Sequence, residues 1–240
     1  MPIQVVFFLA FAAFAVFYGV HLKRRTAAQL GPAMRSFLER TGYRHVQLGN
    51  APIEQHVAHY EAAMRDMAKG FQLHLVRNVH GAAIHHVQTG HVTQRGWATS
   101  TSWSLPLVRQ PSVVFQIADR SLSGFGKMAK EALSNHHRSW SARFPHQVAI
   151  GDSELDQRFL CFVAEPIAAR RIGETPGLKQ LLLACPEVDL VAGEREVVFS
   201  DPAGKNLDHS APSLAARMDA QVPVHDRIAE LLLAAARAGV

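Results

Sequence analysis

Cysteine is nearly missing from this chain: Cys161 and Cys185 are the only two in 240 residues. Both lie in apolar settings, FLCFV and LLLACP, and neither has a CxxC companion. That excludes a disulfide framework and leaves a dithiol or zinc-knuckle role without support; the thiols read as reduced core residues. Several catalytic signatures are missing as well. There is no GxSxG elbow. The helix around His56 reads HVAH, without the glutamate of HExxH. Ser123–Lys127, SGFGK, is too short for a phosphate loop and is followed by Met128 where a hydroxyl residue would hold magnesium. No repeat of 20–50 residues and no low-complexity segment is visible.

A basic domain is also lacking, although the net charge is +5. The excess sits in residues 21–50, where Lys23, Arg24, Arg25, Arg35, Arg40 and Arg44 face Glu39 alone. Residues 51–240 balance 19 basic against 19 acidic side chains. Nucleic-acid binding normally needs clustered Lys and Arg, so that class of partner is set aside.

What the chain does have is an apolar run, residues 3–22, broken only by Gln4 and His21 and closed by Lys23, Arg24 and Arg25. Twenty helical residues at ~1.5 Å each would span a ~30 Å hydrocarbon core, so the run predicts a transmembrane anchor. The positive flank follows it, which puts the N-terminus outside and the remaining domain in the cytoplasm. Tyr18, Lys23, Arg24 and Arg25 are then the membrane-interface residues, and the bilayer is one partner. The expected domains are an anchor with its basic collar, 1–25, and a cytoplasmic domain, 26–240, with a soft lobe division at 134–146.

Beyond the anchor, apolar periodicity predicts helices over 26–44 and 52–69, the latter between Pro52 and Gly70. Period-two alternation then predicts strands near 71–75, 82–88, 91–107 and 112–118. A helix over 122–133, strands at 147–150 and 159–164, short helices at 167–172 and 178–184, two strands at 188–192 and 196–200, and a C-terminal helix complete the pattern. Blocks of strands and helices without βαβ alternation define an α+β class: an N-terminal transmembrane helix, then a mainly antiparallel sheet with packed helices. The run FLCFV, apolar at every position, suggests a central strand covered on both faces.

Histidine is the one unusual abundance, with fourteen copies. His56 and His59 are three apart on a predicted helix and are the only metal-ligand pair the spacing singles out. His85 and His86 point to opposite faces of a strand and cannot share an ion. Asp119, Asp152, Glu154 and Asp156 lie beside strand ends, where such residues usually cap turns and helices. Arg120, Arg158, Arg170 and Arg171 read as their partners, and Trp97 and Trp103, six apart, as neighbours on one strand face.

The stretch 151–201 carries a family resemblance: GDSELDQRF, an apolar strand, a helix with Arg170 and Arg171, a Leu-rich helix and a strand pair ending VVFSD. It resembles bacterial membrane-anchored proteins of unknown function with a cytoplasmic α+β domain, which implies a single-pass inner-membrane setting and carries over no catalytic residue. The sequence therefore predicts a membrane-tethered, non-catalytic module that engages a protein partner at the inner membrane face and needs no cofactor. A membrane-bound metal-dependent hydrolase using part of the histidine set is the alternative.

Overall fold

In the computed structural model, residues 30–65, 70–93, 96–121, 144–201, 206 and 213–239 are described. Their strands form one nine-stranded sheet in the order β1-β2-β3-β4-β9-β8-β5-β7-β6. The strands are β1 (Arg44–His45), β2 (Phe71–Val79), β3 (Ala82–Thr93), β4 (Gly96–Pro106), β5 (Phe115–Asp119), β6 (His146–Val148), β7 (Phe159–Val163), β8 (Asp189–Ala192) and β9 (Glu196–Asp201). Every pairing is antiparallel. The helices are α1 (residues 30–41), α2 (Ile53–Arg65), α3 (Ser153–Arg158), α4 (Ala168–Glu174), α5 (Leu178–Ala184) and α6 (Leu214–Gly239).

Local chemistry accounts for the main boundaries. Gly42 ends α1 at φ +73°, its N–H bonded to the Leu38 carbonyl at 2.9 Å. Such a left-handed residue closes a helix without Cβ strain only as glycine. His80 (φ +51°) and Gly81 (φ +83°) join β2 to β3, and both positive angles match the type I′ turn that suits strand twist. The Asn78 side-chain oxygen accepts the Gly81 N–H at 2.9 Å. Asp152 caps α3, accepting from the N–H groups of Glu154 (3.1 Å) and Leu155 (3.2 Å).

The sheet register lines up one inward residue from each strand: His45, Leu75, His86, Trp103, Phe199, Leu190, Ile117, Cys161 and Val148. Two apolar cores cover this face. Ile228, Leu231, Leu232 and Ala235 of α6 are fully buried against Trp103, Phe199 and Leu190, together with Ile172 of α4 and Leu178 and Leu182 of α5. Beside them, Met34, Phe37 and Leu38 of α1 and Val57 and Tyr60 of α2 pack on Leu73 and Leu75.

Three expectations need correction. The anchor predicted at 3–22, with Tyr18, Lys23, Arg24 and Arg25, lies outside the described residues. Among those described, no helix is long and apolar enough to cross a membrane. The longest, α6, has 26 residues but carries Asp219, Asp226, Arg227 and Glu230, so it is an amphipathic core helix. The fold class is therefore α+β without a membrane-spanning helix among the described residues, and the single-pass inner-membrane placement has no support among them. The FLCFV strand, β7, lies second from the sheet edge and alternates in burial: Phe159, Cys161 and Val163 face inward, while Leu160 and Phe162 are half-buried. The predicted helix at 122–133 and most of the 134–146 division lie outside the described residues.

Candidate functional site

Two histidine groups dominate the sheet, one on each face. The inward group is sealed. His86 pairs directly with Trp103 across β3 and β4, and their rings stack with centroids 5.0 Å apart. His225 of α6 meets His86 edge-on at 4.8 Å. The Trp103 indole N–H donates to His225 Nδ1 at 2.9 Å, fixing that nitrogen as an acceptor, and the Tyr43 hydroxyl lies 3.2 Å from the same atom. Arg77 closes the group: its guanidinium sits 5.0 Å over the Tyr43 ring, pairs with Asp226 at 2.6 Å and donates to the His225 carbonyl at 2.6 Å.

Burial sets the protonation of this group. His86 is pushed down to about 3, by desolvation first and then by the Arg77 charge. His225 is pushed well below its ordinary range by desolvation, His86 and Arg77, and burial raises Tyr43. Both imidazoles are therefore neutral near pH 7. Both ring nitrogens of His86 are buried and lack a hydrogen-bond partner among the described residues. A group with no solvent access cannot reach a solute substrate; it ties β2, β3, β4, α1 and α6 together. Sequence reasoning passed over it, although two signals were present. His86 alternates with Ile84 on an inward strand face, and His225 stands three, four and seven positions before Ile228, Ala229 and Leu232 on one helical stripe.

The metal candidates His56 and His59 lie at the sheet margin beside β1. His56 Nδ1 accepts the His45 backbone N–H at 3.0 Å, and its Nε2 is buried without a partner among the described residues. His59 meets the His45 ring edge-on at 4.6 Å, and His45 stacks on His56 at 5.7 Å. Desolvation and the two neighbouring histidines push His45 down to about 4. These rings meet by faces and edges, not with nitrogens converging on one point. Among the described residues, no three or more His, Cys, Asp or Glu are placed to hold a metal ion.

The carboxylates at strand ends hold backbone. Asp119 accepts from the Ser121 N–H at 3.0 Å and pairs with Arg158 at 3.2 Å. Asp156 accepts from the N–H groups of Ile150 (2.7 Å) and Gly151 (3.1 Å), and Asp152 pairs with Lys179 at 2.7 Å. Arg158 also donates to the carbonyls of Leu183, Cys185 and Pro186 at the end of α5. Arg120 reaches the Asp156 carbonyl, Arg170 pairs with Glu174 at 2.7 Å and Arg171 donates to the Ser112 hydroxyl, so the four arginines serve separate partners. Burial pushes Cys161 up to about 12 and Cys185 up to about 11, so neither is a thiolate near neutrality. Ser123–Lys127 lies outside the described residues.

The outward face differs. His74, Val76, His85, Val87, Ser102, Ser104, Val198 and Ser200 stand there half-exposed, and none belongs to either apolar core. His74 Nε2 and His85 Nδ1 are 3.0 Å apart. On the same side, the outward residues of β5 and β8 are more enclosed, with Gln116, Asp189 and Val191 buried and Gln116 donating to Asp189 at 3.2 Å.

No protein-family model matches the chain, and no curated protein matches it. Among solved structures, the crystal structure of the mycobacterial trehalose monomycolate transport factor A, TtfA, is similar to it with a TM-score of 0.38 and 12% identity, covering 85% of this chain and 95% of that one. A likeness at that score carries no argument about this chain.

Proposed function

We propose that this chain is a non-catalytic module that engages a protein partner through the outward face of β2, β3, β4 and β9. One observation carries the reading. The helices α1, α2, α4, α5 and α6 bury their side chains against the inward face, while the outward residues of these four strands join neither core and stay half-exposed. That surface alternates valine with serine and histidine and presents no Lys, Arg, Asp or Glu among the eight residues named above. A partly apolar patch of valine, serine and histidine, with the exposed Glu196 at the start of β9 beside it, suits a protein surface better than a small solute, which needs a concave site.

Photo-crosslinking tests this. A photoreactive residue at Val87 or Ser102 of the full chain, expressed in its native cells, should yield one discrete adduct with another protein. The same residue at Glu230, on the helical side, should not. Equal labelling at all three positions, or none at Val87 and Ser102, would overturn the proposal.

A further inference from the structure

We propose that His74 and His85 form a two-histidine site for a transition-metal ion of the zinc class on the outward face of the β2–β3 hairpin. In the register, His74 stands opposite Val87 and His85 opposite Val76, so the two histidines are diagonal neighbours on adjacent strands. Both are even-numbered steps from a shared outward position, and both are half-exposed, which leaves the site open to solvent ions.

The separation fits coordination. Zinc binds imidazole nitrogen at about 2.0–2.1 Å, and two such bonds at a tetrahedral angle place the nitrogens about 3.3 Å apart. His74 Nε2 and His85 Nδ1 are hydrogen-bonded to each other at 3.0 Å, so an ion takes the place of that bond: the donating ring moves its proton to its other nitrogen, and both rings turn to aim their lone pairs at the metal. Preorganisation is strong: nine register pairs and a type I′ turn hold the two strands together. The ligating form is the neutral ring. Imidazole suits zinc, copper and nickel, whereas magnesium and calcium prefer oxygen. The chain supplies two ligands, and water completes the shell. The site stands on this geometry whether or not a partner docks on the same face.

Titrating zinc chloride into the full chain by calorimetry near pH 7.5 should show one ion bound per chain. His74→Ala and His85→Ala should each weaken it at least tenfold, and His80→Ala, at the exposed turn of the same hairpin, should leave it unchanged. A measurement on the unaltered protein guards against misfolded variants. Paramagnetic nickel should broaden amide signals of residues 72–76 and 83–87 before others. Absence of binding, binding that survives both substitutions, loss that follows His59→Ala instead, or broadening centred on residues 53–60 would each overturn the site.

Discussion

Replacing His86 should make the protein more stable, which is unusual for a core position. A neutral imidazole has one donor and one acceptor nitrogen, and here both are buried without a partner among the described residues. Leaving a buried polar group unsatisfied costs about 1–3 kcal/mol. His86→Phe removes both groups and keeps the stack on Trp103, at an overpacking cost of about 1–3 kcal/mol for the larger ring. His86→Leu keeps the volume closer and gives up the stack, worth about 0.5–1.5 kcal/mol. At least one of the two should gain about 2 kcal/mol, or ~4–8 °C in melting temperature for a chain of this size. The neighbouring histidine supplies the contrast. His225→Phe strips the Trp103 N–H of its acceptor at 2.9 Å and should lose about 2 kcal/mol. Urea unfolding and thermal melts of the full chain read all three. If both His86 variants melt below wild type while His225→Phe does not, the assignment of partners in this group is refuted.

The same burial predicts acid sensitivity: unfolded His86 titrates near 6.5 but folded His86 near 3, so the unfolded state takes up more protons in between, and stability should fall as pH drops through that window, at up to about 1.4 kcal/mol per pH unit. His225, shifted the same way, adds to the slope, and stability measured from pH 7 to 4 should flatten in the His86 variants. Asp152→Ala should cost about 1 kcal/mol by circular-dichroism melts, because it removes the cap of α3. Phe159→Ala should cost about 3–5 kcal/mol in urea unfolding and Phe162→Ala clearly less, since Phe159 is 2% exposed and Phe162 only half-buried. Equal losses would contradict the alternation of β7.

Much of this architecture was legible where the signal is local. The range of α5 follows from LKQLLLA, and Asp152, one of the strand-end carboxylates expected to cap turns or helices, does cap α3. The six-residue spacing of the tryptophans put both on one face of a strand, and Trp103 of that strand is fully buried. Sheet order was not legible. Alternation tells which side of a strand is apolar, not which strand lies next to it, so nothing in EVVFS announces its place between β4 and β8. FLCFV misled for a related reason: an apolar outward residue such as Phe162 can be partly covered without the strand being central. The buried histidines escaped notice because a polar residue on an apolar stripe looks like compositional noise until its neighbours are known.

The position of β9 has a consequence for how the chain acquires its structure. Strands β1 to β4 pair with one another in sequence order and β5 to β8 pair among themselves, but the two sets are joined in the sheet only through β9, which pairs with β4 and β8. β9 must therefore close a loop of about ninety residues back to β4, with the entropy cost that non-local contacts carry. On a ribosome, the first hairpins can form early while the sheet stays in two pieces until residue 196 and beyond have emerged. The helix that bridges β4, β8 and β9, α6, is synthesised later still. Residues 196–239 thus act as its fastener, and a ribosome stalled before them would leave two unjoined sheets, with the part of their inward faces that α6 covers left exposed.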